Sequence, residues 1–405
     1  MKPFHRLMQL SKSPVGYSKI LEAYYSRSPS FLSGILNGTR WRHKSMGETL
    51  NCIIDPDILK QLHACADENL SLWAREKTQT PRKVEVLRED WGMAAFEATQ
   101  KYGILYSVLN MANSLFPGGG ALEGGSAQEE NIWHRSSCPL SLLAKGIVYD
   151  EEKKEFRYDD EIRKLLRAQK KMSSEELELL SQLRGEKITE AYKIFFNDQQ
   201  EVCFRGPEIL SPTDFPDMGV GNRRYTADSG MSFSFLPKEN IFPFEEFRAA
   251  APELVTRSNV NWNDDEFLTD YMTEVRRRIG AQLDTLIIHQ KPHAILGAWG
   301  CGSFKNKPQI IAKIYREEIE KRASYFEHIV FPIIDNDRTC NFETFREVLD
   351  DLKLGIAKNN SDLKRPPSDK LPNPHSFYDP GRQSSKEKDE DNPKKGPDNS
   401  FCTLL

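Results

Sequence analysis

The residues with the most chemical potential lie between Asn110 and Arg135, in the stretch NMANSLFPGGGALEGGSAQEENIWHR. Asn110 and Asn113 precede three successive glycines, Gly118, Gly119 and Gly120, and seven residues further on stands Gln128-Glu129-Glu130. Glycines let backbone N–H groups approach a ligand closely and adopt positive φ. Adjacent residues on a regular element point in different directions, so two neighbouring carboxyls divide their work: one can hold a sugar hydroxyl while the other handles a proton. Cleavage of a glycosidic bond needs such a proton donor, because the leaving oxygen must be protonated as an oxocarbenium-like centre develops. The donor's pKa must be raised by burial or by a like charge.

A second constellation is GAWGCGSFKNKP, residues 297–308. Gly297, Gly300 and Gly302 make a turn whose N–H groups can form an anion-binding nest. Asn306 is a candidate N-cap and Pro308 suits a first helical turn, so the positive end of a helix is expected to face the loop and to favour a diphosphate. Phe304 offers an apolar face for a ribose. The spacing is not that of a dinucleotide-binding GxGxxG, and the chain holds no P-loop. Cys301 in this loop is explained better by small size than by nucleophilic chemistry, and His134 near the acid pair reads as a satisfied polar neighbour.

These loops need strands and helices to position them. The runs Ile104–Leu109, Ala294–Leu296 and His328–Ile334 are short, apolar and β-prone, as in strands covered on both faces. Helical spacing runs over 264–289, with Asn263 as expected N-cap, and over 307–323. Alternating strands and helices predict a three-layer α/β/α fold with a mixed sheet. Parallel strands would bring both glycine loops to their C-terminal ends, where ligands bind in such folds.

Three segments depart from this pattern. Residues 1–48 carry eight Lys or Arg against two acids and read as a basic extension, either loosely packed or a targeting arm. Residues 150–190, dense in Lys and Glu with a capping box at Ser173 and Glu176, read as a surface helical insertion inside a domain spanning 49–356. From 357 to 405 the chain is rich in Pro, Ser, Lys and Asp, with too little apolar surface to offset the entropy of ordering.

Composition narrows the function classes. The 56 basic and 60 acidic residues nearly balance, so no direct nucleic-acid partner is expected. The seven scattered cysteines form no CxxC pair and no zinc-like spacing with the eight histidines, which predicts reduced thiols, no metal and a cytosolic location. No segment approaches the roughly 20 apolar residues of a membrane span. The chain ends Cys402-Thr403-Leu404-Leu405, a CaaX-like pattern that would allow prenylation at Cys402 and membrane attachment.

At GGG–x7–QEE and at GAWGCG the sequence resembles the microbial-type poly(ADP-ribose) glycohydrolases, a branch of the macrodomain superfamily. Ala249-Ala250-Ala251-Pro252 and FPIIDNDRTCNFETFREVL at 331–349 are further similar segments, and the resemblance covers about 80–355. It implies a PARG-like macrodomain with ADP-ribosylhydrolase activity and without a cofactor. The substrate would be poly(ADP-ribose) or an ADP-ribosylated protein, ubiquitin being one candidate. Carried over by position, Glu130 would be the catalytic acid/base. Glu129 would orient the distal ribose, and Asn110 would hydrogen-bond it. Gly118–Gly120, with Asn113 and Gln128 beside them, and Gly300–Phe304, including Cys301, Gly302 and Ser303, would surround the diphosphate, with Phe304 on the ribose. Ser303, Lys305 and the long insertion depart from the family pattern. Asp335 and Asp337 follow a buried strand and are expected to contact a cationic leaving group. A non-hydrolytic ADP-ribose reader and a host-interaction protein are the rival readings. A microbial-type enzyme with a prenylation signal would fit a bacterial effector translocated into a host cytosol.

Overall fold

The computed structural model describes residues 7–30, 38–212, 225–256, 260–334 and 340–355. Asp335, Asp337, Cys402 and the Pro-rich tail from 357 therefore lie outside the described residues.

A six-stranded sheet forms the centre: β1 (Lys83–Leu87), β2 (Ser107–Asn110), β3 (Phe195–Cys203), β4 (Phe242–Arg248), β5 (His293–Ile295) and β6 (His328–Pro332). Their spatial order is β1-β6-β5-β2-β4-β3. The first five pair in parallel, and β3 closes one edge antiparallel to β4. The residues of β2 and β6 are all buried, as expected of strands covered on both faces.

Helices cover the two faces. On one lie α2 (Thr39–Ile54), α3 (Pro56–Trp73), α4 (Trp91–Tyr102) and α5 (Gln128–Arg135). On the other lie α8 (Asp265–Ile288), α9 (Pro308–Glu320) and α10 (Asn341–Leu349). Val275, Ile279, Ile311, Ile314 and Phe345 of that layer pack on Val84, Leu109, Phe247 and Ile329 of the sheet. The three-layer α/β/α order is the one the alternating pattern predicts. Helix α8 is capped by Asp264, whose side chain accepts the N–H groups of Glu266 and Phe267, and not by Asn263.

The N-terminal region differs from the expected loose extension. α1 (Pro14–Ser26) is followed by α2, which runs through the boundary drawn at 48/49 and buries Met46, Leu50 and Ile53. Thr49 Oγ1 donates to His134 O at 2.6 Å and His43 Nδ1 lies 2.7 Å from Leu122 O, so this helix clamps both α5 and the glycine loop. One of its basic residues is neutralised internally: Arg42 pairs with Glu208 at 2.6 Å with both side chains buried.

The 150–190 segment contains the expected helical pair, α6 (Asp160–Leu166) and α7 (Ser174–Arg184). Ser173 and Glu176 form the capping box. Before α6, a hairpin of Ile147–Asp150 and Glu155–Tyr158 pairs with Leu7–Gln9. α7 buries Leu180 in the core shared with α8. No helix among the described residues is long and apolar enough to cross a membrane.

Candidate active site

Helix α5 begins at Gln128, so the QEE motif is its first turn, where the N-terminal end of the helix dipole favours carboxylates. Each of the three side chains goes to a different place. Gln128 ties down the end of β2: its Oε1 accepts from Met111 N at 2.9 Å and its Nε2 donates to Leu109 O at 2.7 Å. Glu129, only 4% exposed, accepts Asn113 N–H through Oε2 at 2.6 Å and Gly118 N–H through Oε1 at 3.0 Å. Glu130 accepts Gly120 N–H through Oε1 at 2.9 Å, and its Oε2 is shielded from solvent without a hydrogen-bond partner among the described residues. Burial raises both carboxyls above the usual range. For Glu129 the neighbouring Glu130 adds to the shift; for Glu130 the Gly120 N–H opposes it.

The glycines are required by this close approach. Gly119 has φ +56°, and a Cβ there would lie 2.6 Å from Glu130 Oε1. Gly118 has φ +78° and sits on Trp133, whose ring would meet a Cβ at 2.4 Å.

The second loop follows β5. Residues Ala249–Pro252, leaving β4, form its bed. Trp299 Nε1 donates to Ala249 O at 2.9 Å, and Gly300 lies so close to Ala251 that a Cβ would sit 2.5 Å from the alanine methyl. Asn306 is not the N-cap of α9, a position held by Lys307. It is buried and locks the loop instead, donating to Pro252 O at 2.8 Å and Gly300 O at 3.0 Å and accepting from Tyr271 Oη at 2.8 Å.

The two loops face each other across a cleft of about 620 Å³. The size and its mixed lining suit a nucleotide-sized ligand. Of the expected site residues, Asn113, Gly119, Gly120, Gln128, Glu129, Glu130, Gly300, Gly302, Ser303 and Phe304 line it. The first turn of α9 does not; the loop backbone and the first turn of α5 do.

Three expected ligand residues lie elsewhere. Asn110 is fully buried and donates to Glu246 Oε1 at 2.6 Å. Gly118 is buried, with its N–H spent on Glu129. Cys301 is buried and its thiol is pushed far above the ordinary range by that burial, which agrees with the reading of small size rather than reactivity. His134 is also buried, stacked on Phe233 with ring centroids 4.9 Å apart, and burial pulls it down to about 3, so it stays neutral.

Several lining residues were not anticipated. Glu89 enters from the turn between β1 and α4, Trp91 from the first turn of α4, Phe116 from the glycine loop, and Ile333 and Ile334 from the exit of β6. Burial pushes the Glu89 carboxyl up to about 7, with Glu97 and Asp90 adding to the shift. The position of Glu89, two residues past the C-terminal end of a parallel strand, is the one sequence signal that could have found it.

Residues 57–162, which hold the glycine triplet and the acid pair, match the family model of the microbial-type PARG catalytic domain. This segment belongs to the microbial-type PARG family. The PARG segment ends at Ile162, so the loop at 297–304 lies beyond it. Among solved structures, the chain is similar to the poly(ADP-ribose) glycohydrolase of Thermomonospora curvata, at 19% identity and a TM-score of 0.45 over 76% of this chain and 99% of that one. It is also similar to the Deinococcus radiodurans poly(ADP-ribose) glycohydrolase in complex with ADP-ribose, at 22% identity and a TM-score of 0.40 over 70% and 90%. No curated protein matches.

Proposed function

We propose that this chain is an ADP-ribosyl glycohydrolase that seats ADP-ribose across the two loops and cleaves the glycosidic bond at its distal ribose. One observation carries the reading. Two adjacent carboxyls of a PARG segment lie buried at the floor of a nucleotide-sized cleft, and they are not equivalent. Both oxygens of Glu129 are engaged by loop N–H groups, so this carboxyl shapes the loop and keeps little capacity for substrate. Glu130 retains an unpartnered oxygen, Oε2.

Glu130 is therefore the group that meets the scissile bond. Its raised pKa keeps it protonated where an ordinary glutamate is ionised, so it can protonate the leaving oxygen as positive charge develops on the ribose. The resulting carboxylate then takes a proton from the incoming water. The backbone of Gly119–Gly120 and Gly302–Phe304 flanks the diphosphate, and Phe304 packs on the ribose. Asn110 acts from behind, through Glu246, rather than on the sugar.

The substrate is a polymer of ADP-ribose or an ADP-ribosylated protein. The test is release of free ADP-ribose from poly-, glutamate- and arginine-linked substrates, with Glu130→Gln as control. Release that vanishes in the variant supports the reading. Calorimetric ADP-ribose binding with no release from any substrate would replace it with a non-hydrolytic reader.

A further inference from the structure

The N-terminal helix reaches the acid pair through one ion pair. α1 is seated on the hairpin of Ile147–Asp150 and Glu155–Tyr158: Lys19 Nζ donates to Glu151 Oε2 at 2.7 Å, and Tyr149 Oη donates to Glu22 Oε2 at 3.0 Å. Arg27, at the C-terminal end of α1, joins this hairpin to the glycine loop. Its Nη1 donates to Lys154 O and its Nη2 to Glu155 Oε2 at 3.3 Å, while its Nε donates to Glu123 Oε1. Glu123 ends the 3-10 turn Ala121–Glu123, which follows the glycine triplet. Glu123 lies inside the segment matched to the PARG family, residues 57–162, and Arg27 lies outside it.

Glu123 stands beside Glu130. A Cβ on Gly120 would lie 3.6 Å from Glu130 Oε1 and 3.9 Å from Glu123 Oε2, so the two carboxyls approach the same bare Cα from two different elements. A like charge nearby disfavours ionisation of a carboxyl. Burial is the main cause of the raised Glu130 carboxyl, and Glu123 adds to it. Arg27 is the only ion partner of Glu123 among the described residues. Glu155, by contrast, is also held by Arg157. The other titratable groups packed around α5 do not touch Arg27. Glu129 is held by loop N–H groups, Arg42 by Glu208 and Arg135 by Asp90. Burial holds His43 and His134 neutral, keeps Cys138 a thiol and raises Glu89. A change at Arg27 therefore reaches Glu130 as charge only through Glu123.

We propose that Arg27 is a positioning residue of the reaction: it holds the Glu123 carboxylate beside Gly120 and offsets its charge there, so that α1 sets the charge felt by Glu130. This rests on the hydrolase reading for the role of Glu130.

The experiment uses the full chain with Arg27→Gln, Arg27→Lys, Glu123→Gln and the double variant of Arg27→Gln with Glu123→Gln. Titration of Glu130 is followed by NMR of carboxyl-labelled glutamate, its signal assigned by its loss in Glu130→Gln. The alkaline limb of kcat/KM for ADP-ribose release from poly(ADP-ribose) is measured in parallel. In Arg27→Gln both midpoints should rise by about 0.5 pH unit. They should stay at the wild-type value in Arg27→Lys, which keeps the charge. They should fall in Glu123→Gln and return to near wild type in the double variant. A purely structural Arg27 would change stability or KM and leave the midpoint in place, and that result overturns the proposal. An ion pair with a half-exposed member contributes little stability, so the variants are expected to fold. If Arg27→Gln does not fold, Glu123→Gln decides alone, and an unmoved midpoint there overturns the proposal as well. NMR midpoints that shift as expected in a chain that releases no ADP-ribose would sink the hydrolase reading and leave the coupling standing. Turnover with unmoved midpoints would sink the coupling alone.

Discussion

Glu130 Oε1 accepts the backbone N–H of Gly120 at 2.9 Å while Oε2 of the same carboxyl is buried with no hydrogen-bond partner among the described residues. Buried polar atoms without partners are uncommon and mark a strained or functional group. The loop holds one oxygen, and in the proposed hydrolase mechanism the other meets the scissile bond. Glu130→Gln keeps the shape and removes the proton, so turnover should fall by about 10²–10⁴ while calorimetric ADP-ribose binding persists. Loss of binding together with turnover would show that Glu130 only supports the loop.

The raised pKa of Glu130 gives a pH dependence. The acid form is needed, so the rate is full at low pH and falls as pH rises through the raised value, above the ordinary glutamate value of about 4.3. A pH–rate profile already declining in the ordinary glutamate range would contradict the burial argument.

Glu129 has the opposite character. Glu129→Ala leaves the N–H groups of Asn113 and Gly118 without their acceptor. Each orphaned buried donor costs about 1–3 kcal/mol. Urea denaturation should show a clear loss of stability, and limited proteolysis should open the chain near 113–120. A variant as stable as wild type would mean that the loop does not depend on this carboxyl.

Two glycines of the cleft should respond differently to a methyl group. Gly119→Ala forces a left-handed φ on alanine and places Cβ against Glu130, so ADP-ribose binding should weaken sharply. Gly302→Ala meets nothing within 4 Å and should leave stability within about 0.5 kcal/mol of wild type. Thermal melts and calorimetry of the two variants side by side check the contrast.

Glu201, on β3, is pushed up to about 7 by burial and by Glu246. Its folded pKa exceeds the unfolded value, so the folded state binds the extra proton. The stabilisation is complete below about 4.3 and is lost as pH rises to about 7. Glu201→Gln should match wild type near pH 4 in urea denaturation and exceed it by up to about 3 kcal/mol near pH 8. An unchanged difference between the two pH values would refute the buried-proton account.

Local sequence carried much of this protein. The glycine triplet, the acid pair seven residues on, the second glycine turn and the alternation of apolar strands with helical spacing are short-range patterns, set by backbone freedom and by which faces must be buried. They determine the layered fold and bring most of the expected residues to one cleft. That Glu129 and Glu130 differ was legible, but the tying of both Glu129 oxygens to the loop was not, because it depends on which loop N–H groups curl back onto each carboxyl. Asn110 and Asn306 read as ligand and cap residues from their neighbours in sequence, yet their partners, Glu246, Pro252 and Tyr271, come from distant strands and helices. The basic N-terminal stretch read as an extension because charge suggests solvent. Tertiary packing instead neutralised Arg42 against Glu208, 166 residues away, and set α2 against α5. Long-range pairing of buried polar groups depends on chain closure that no local pattern encodes, and it decided how the site is held.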